Sequence, residues 1–105
     1  MPSVIQNENN ILTIKIAGDI DHHASKELRL EIDNAIESAC PQCVVFELTE
    51  CEFMDSSGLG LILGRLRKCN ERGCEFKLVN PGAKTLRILR MAGVEKLIKI
   101  ESIEN

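Results

Sequence analysis

Apolar residues recur along this chain with two periods, and the switches between them outline its elements. In residues 11–18, ILTIKIAG, Leu12, Ile14 and Ile16 point one way while Thr13 and Lys15 point the other. That two-residue alternation predicts a half-buried strand. A short strand near residues 3–6 precedes it, and the turn-forming run Asn7, Glu8, Asn9 and Asn10 predicts a hairpin between them. Over residues 24–39 the period changes: Ala24, Leu28, Ile32, Ala35, Ile36 and Ala39 fall in one stripe of an amphipathic helix.

The alternation returns in residues 43–49, CVVFELT, with Val44, Phe46 and Leu48 inward and Glu47 and Thr49 outward. A second helix is predicted over residues 57–71, stopped by Gly73. Residues 75–79 read as a strand with Phe76 and Leu78 inward and Lys77 outward. Asn80-Pro81 then reads as an N-cap followed by a first-turn proline, opening a helix to about Met91 that Gly93 closes. Residues 96–100 give a last strand, with Ile98 and Ile100 inward and Lys99 outward.

The predicted order is ββαβαβαβ, an α/β fold in which strand–helix–strand units impose parallel pairing with right-handed crossovers. Lys15, Glu47, Lys77 and Lys99 all fall on one face of that sheet. A doubly wound sheet would be apolar on both faces. The expected architecture is therefore a mixed, mostly parallel sheet of about five strands with helices packed on one face only.

Composition narrows the function classes. The 105 residues suit one small domain, residues 1–105, with no repeats or linkers. Aromatic residues are 3%, with no Trp or Tyr, so the core is aliphatic and base stacking is not expected. The net charge of −3 argues against a phosphate-backbone partner, so no nucleic acid is expected. No apolar run approaches the ~20 residues of a membrane span. MPSVIQNENN lacks a basic segment followed by an apolar one, so no secretory signal is read there and the expected location is cytoplasmic. Five cysteines, an odd number, fit reduced thiols. Cys40-Pro-Gln-Cys43 resembles a redox pair or half a zinc site. It falls at the end of a helix, however, whereas a redox pair needs a helix N-terminus to lower a thiol pKa. Cys69 and Cys74 are irregularly spaced as further ligands. Small buried hydrophobes are the plainer reading, and neither a metal nor a cofactor is expected.

The informative segment is FMDSSGLGLILGR, residues 53–65. Gly58, Gly60 and Gly64 each weaken a helix interior by roughly 0.5–1 kcal/mol relative to alanine. With Leu59 at the centre of a buried stripe, Ile62, Leu63 and Leu66 fall within about 60° of it. Ser57, Gly60, Leu61, Gly64 and Lys68 then fall near the opposite face. Gly60 and Gly64 would form a smooth docking strip with Leu61 as an exposed anchor, and Gly58 would serve packing. Asp55, Ser56 and Ser57 open the helix. As a structural matter they are preferred N-cap residues. As a functional matter, a hydroxyl there is reachable by a kinase, and a phosphate of about −1.5 to −2 charge would suit the helix dipole while changing the docking face.

Other chemistries fit less well. The glycine spacing departs by one from the dinucleotide fingerprint, and the strand after it ends at Asn80 instead of an acid. His22-His23 adjoins Asp19 and Asp21 without an evident third metal ligand, which reads as a polar loop before the first helix. Cys51 has no paired base.

Two segments, FMDSSGLGLILGR and GDIDHH (residues 18–23), resemble the single-domain anti-sigma factor antagonists of the sulfate-transporter and anti-sigma-antagonist (STAS) family. The similarity is greatest to the sporulation type, and the element order agrees along nearly the whole chain. The resemblance implies a non-enzymatic, phosphorylation-switched binding module. In that family the serine directly after the motif's aspartate, which is Ser56 here, is phosphorylated by the anti-sigma factor, an ATP-dependent serine kinase. The resemblance further implies that the unphosphorylated form binds that kinase and displaces the sigma factor, and that a serine phosphatase restores it. Asp21 and Asp55 match family acids beside the serine. The partner-binding set is then Asp21, His22, Asp55, Ser57, Gly58, Gly60, Leu61 and Gly64. A stress-type sigma pathway and a small-ligand or nucleotide-binding module are the alternatives. Members of the family often continue into another C-terminal helix; here, where the sequence closes on IESIEN, that helix is expected to be truncated or reduced.

Overall fold

The computed structural model describes residues 3–103. Strands β1 (Ser3–Glu8) and β2 (Ile11–Ile16) form the expected hairpin. Its two-residue turn, Asn9-Asn10, has φ of 54° and 65°. Positive φ at both central residues defines the tight hairpin turn that matches strand twist, and Asn tolerates it. Each later strand of the main sheet pairs in parallel: β4 (Cys43–Glu47) with β2, β6 (Glu75–Val79) with β4, and β7 (Lys99–Glu101) with β6. The sheet order is β1-β2-β4-β6-β7, five strands with one antiparallel pair. The expected mixed sheet is the one observed.

Three helices complete it: α1 (His22–Ala39), α2 (Ser56–Glu71) and α3 (Ala83–Met91). Leu28, Ile32 and Ile36 of α1, Ile62 of α2 and Leu89 of α3 bury against Leu12, Ile14, Val44, Phe46 and Leu78 in one core. The Phe46 and Phe76 rings meet edge to face at 4.9 Å. All three helices lie on that side. On the other face Lys15 registers with Glu47, and Lys77 with Lys99. Lys77 and Lys99 both reach Glu101, at 2.9 and 3.4 Å. This face is not wholly polar, as Cys43, Val45 and Val79 form a small second apolar cluster there.

Four expectations are corrected. Two short strands, β3 (Gly18–Ile20) and β5 (Cys51–Met54), pair in parallel as a separate ribbon where no strand is predicted. Three or four residues are too few to display a period. His22 and His23 are not a loop: α1 begins at His22 because Asp21 is its N-cap, its Oδ1 accepting from the Ala24 amide at 2.8 Å. Asn80 does not cap α3. It takes a left-handed conformation (φ 55°), its side chain donates to Glu47 Oε2 at 3.1 Å, and Gly82 stands at the cap instead. The last strand is shorter than residues 96–100, because Val94–Lys96 forms a single 3-10 turn after Gly93. The expectation of a reduced C-terminal helix falls on the chain end at residues 104 and 105, outside the described residues.

Candidate functional site

The β3–β5 ribbon places the site. It registers Ile20 with Met54, so the next residues, Asp21 and Asp55, leave paired strand ends and each opens a helix. The N-termini of α1 and α2 thereby stand side by side, although they are far apart in the chain. The Asp55 amide also bonds to the Ile20 carbonyl at 3.3 Å, tying the two openings together.

At the start of α2 the roles of the polar residues separate. Asp55 Oδ1 accepts from the Ser57 amide at 2.8 Å and from the Gly58 amide at 3.3 Å. Asp55 is therefore the N-cap, so the Ser57 and Gly58 amides are satisfied without either serine hydroxyl. Ser56 is the first helical residue and is exposed; among the described residues its hydroxyl makes no hydrogen bond. Ser57 is half-buried, turned toward α1, with its Oγ 3.5 Å from Nδ1 of His22.

The glycines also separate. Gly58 is buried, and a Cβ built there would lie 2.8 Å from Met54 Cβ and 3.2 Å from the Ile20 carbonyl oxygen. Its expected packing role is observed: α2 crosses the ribbon too closely for any side chain. A Cβ on Gly60 or Gly64 would meet nothing within 4 Å, so both face open space as expected.

The rest of α2 is turned relative to the expected wheel. Its buried face is Gly58, Leu61, Ile62, Arg65 and Cys69. Leu61 is only 5% exposed, so it is not a protruding anchor, whereas Leu63, expected in the core, is 38% exposed. The stripe is displaced by about 100°, one residue's rotation. The reason is Arg65: its guanidinium lies against Asp33 of α1, Nε to Oδ1 2.9 Å, and a charged residue at a buried position is invisible to apolar periodicity. The exposed strip of α2 is Ser56, Gly60, Leu63 and Arg67.

Beside that strip, α1 and α2 enclose an open groove of about 360 Å³. From α2 it is lined by Ser57, Gly60, Leu61, Gly64 and Arg65, so Leu61 contributes to its floor. From α1 come His22, Ser25, Lys26 and Arg29. Ser25, Lys26, Arg29 and Arg65 were not among the residues expected at the site. The legible signal was Lys26 and Arg29 three apart on α1, off its Leu28–Ile32–Ile36 stripe. The Arg65 side chain is only 9% exposed, and its Nη1 has no partner among the described residues. Burial pushes the Arg65 guanidinium below its ordinary pKa, Asp33 opposes that, and nearby Arg29 adds like-charge repulsion.

The cysteines lie apart from this groove. Cys40 is exposed at the C-cap of α1, while Cys43, Cys51, Cys69 and Cys74 are buried free thiols. Burial, with Cys74 close by, pushes the Cys69 thiol up to about 12, which makes it unreactive near neutral pH. No cluster of three or more potential metal ligands occurs among the described residues, and no helix among them is long and apolar enough to cross a membrane.

A one-sided mixed sheet, two adjacent capped helix openings and an exposed serine after Asp55 define a particular class of small α/β module. The chain belongs to the STAS domain family, which matches residues 2–104. It is 34% identical over 96 residues to an anti-sigma F factor antagonist from Paenibacillus polymyxa, covering 91% of this chain and 82% of that protein. It is 30% identical over 99 residues to an anti-sigma-B factor antagonist from Bacillus subtilis (strain 168), covering 94% and 88%. Its fold superposes on the anti-sigma factor antagonist SpoIIAA in its unphosphorylated form with a TM-score of 0.86, at 25% identity over 98% of this chain and 89% of that one. The phosphorylated form of the Bacillus SpoIIAA also matches, with a TM-score of 0.78, at 25% identity over 98% and 92%.

Proposed function

We propose that this protein is a cytoplasmic, single-domain anti-sigma factor antagonist, switched by phosphorylation of Ser56. The unphosphorylated form binds an anti-sigma factor that is also a serine kinase and so releases the sigma factor. Phosphorylation of Ser56 ends that binding, and a serine phosphatase reverses it. The protein itself catalyses no reaction.

One observation carries this reading: Ser56 stands at the opening of α2 yet does not cap it. Asp55 satisfies the Ser57 and Gly58 amides, which leaves the Ser56 hydroxyl exposed and without a structural task. A phosphate on that oxygen sits at the positive end of the helix dipole, so the fold tolerates it. Two adjacent carboxylates, Asp21 and Asp55, concentrate negative charge around it, and a partner fitted to a neutral hydroxyl is repelled. Relatives of both the F and B types keep the stress-type sigma pathway as a second reading; the higher identity to the F type favours the sporulation pathway. The nucleotide-binding alternative loses its loop, because Gly58 packs against the ribbon while Gly60 and Gly64 lie on the side of a helix.

The test is incubation with an anti-sigma F kinase and ATP, read by intact mass. A gain of one phosphate that is abolished by Ser56→Ala supports the switch. Ser56→Asp is expected to weaken kinase binding with nearly unchanged thermal stability. A phosphate retained in Ser56→Ala, or equal kinase affinity for the phosphorylated and unphosphorylated forms, overturns it.

A further inference from the structure

Two features of the α1–α2 groove have no explanation inside the chain. Gly60 and Gly64 each weaken α2 by roughly 0.5–1 kcal/mol relative to alanine, yet an alanine Cβ at either would touch nothing. The groove is also one-sided in charge. Lys26, Arg29 and Arg65 line it, and among the described residues the single carboxylate engaging any of them is Asp33, behind Arg65. Neither Lys26 nor Arg29 is in an ion pair among the described residues. This concentration of cations stands on a chain of net charge −3.

We propose that the groove between α1 and α2 receives an acidic segment of the partner protein, whose backbone lies against Gly60 and Gly64 while its carboxylates pair with Lys26 and Arg29. This rests on the reading that an anti-sigma factor docks on α2, and extends the docking surface across to α1. Missing side chains at Gly60 and Gly64 let a backbone approach closely, and Leu61 gives it an apolar floor. Arg29 supplies the planar fork that matches a carboxylate, and Lys26 a point charge. Ser57 lines the groove's upper end and Ser56 precedes it. A phosphate on Ser56 therefore stands at the mouth and repels the same acidic segment, which links this groove to the switch.

The experiment is calorimetric titration of the unphosphorylated protein with its anti-sigma kinase at about 50 and 300 mM salt, spanning strong and weak screening. The groove variant is Lys26→Glu/Arg29→Glu. The control, Lys84→Glu/Arg87→Glu, makes the same charge change at exposed positions on α3. The expected result is a loss of at least ~10-fold in affinity for the groove variant at low salt, shrinking at high salt, with the control within ~2-fold of the parent. A groove variant no weaker than the control overturns the proposal, while the proposed function stands if the parent binds and Ser56 is phosphorylated. A parent that neither binds nor is phosphorylated overturns both. Sedimentation of the protein alone closes the other route: a dimer that the groove variant dissociates makes a second copy the occupant and overturns the proposal. Lys26→Ala/Arg29→Ala repeats the measurement should charge reversal disturb folding.

Discussion

Arg65 Nε of α2 and Asp33 Oδ1 of α1 lie 2.9 Å apart beneath the groove, and Lys68 with Glu37, at 3.7 Å, forms a second ionic tie between the same helices. The first pair is the better buried, with side-chain exposures of 9% and 27%. Removing one partner from a buried pair leaves a desolvated charge uncompensated. Asp33→Ala is therefore expected to cost about 2–3 kcal/mol, below the roughly 3–5 kcal/mol of a fully buried pair because Asp33 is partly exposed. Adding Arg65→Met is expected to recover part of that loss. Urea denaturation checks both, and a double variant no more stable than Asp33→Ala contradicts the assignment.

Asp55 and its neighbour Ser56 are expected to part company under mutation. Loss of the Asp55 cap in Asp55→Ala is expected to cost about 1 kcal/mol. Ser56→Ala is expected to change stability by less than about 0.5 kcal/mol, as for an exposed position without a structural bond. Thermal melts of the two variants measure the difference. Equal losses would return Ser56 to a structural role.

The three glycines of α2 are expected to respond with opposite signs. Gly58→Ala brings a Cβ to 2.8 Å from Met54 Cβ, and overpacking of that kind costs about 1–3 kcal/mol. Gly60→Ala and Gly64→Ala meet no neighbour, so each is expected to add about 0.5–1 kcal/mol of stability while weakening partner binding. Denaturation midpoints together with kinase affinity test the pairing of gain and loss.

Glu47 is expected to contribute to acid sensitivity. Burial alone would push its carboxyl up, but hydrogen bonds from the Thr49 amide and hydroxyl and the Asn80 amide, with attraction to Lys15, outweigh that and hold it below its ordinary 4.5. A carboxyl depressed in the folded state contributes stability that is full above its unfolded pKa and is lost as the pH falls through the folded value. The loss therefore begins below pH 4.5. Urea midpoints between neutral pH and about pH 3 are expected to fall less steeply for Glu47→Gln than for the parent. Parallel curves would show that Glu47 does not carry this term.

Periodicity, with turn-forming residues marking β1 and the Asn80-Pro81 and Gly93 signals marking α3, delivered the five main strands, the three helices and the one-sided sheet, because Ile14 or Phe46 must face a core whatever the neighbours are. It also isolated Asp55, Ser56 and Ser57 at a helix opening, and Gly60 and Gly64 on an outward face. It misread Leu61 and Leu63, because a wheel drawn from apolar residues cannot know that Arg65 turns inward to meet Asp33.

What the tertiary structure decided is proximity. The β3–β5 ribbon is too short to announce itself by period, yet it sets the openings of α1 and α2 beside each other and so brings His22 to Ser57. It also decided which residue caps α2. Asp and Ser are nearly equivalent caps by preference, and only the backbone path from Met54 into the helix gives that place to Asp55 and leaves Ser56 free. The cationic side of the groove comes from the same packing: Lys26, Arg29 and Arg65 stand on two helices, and their charges add only where those helices meet.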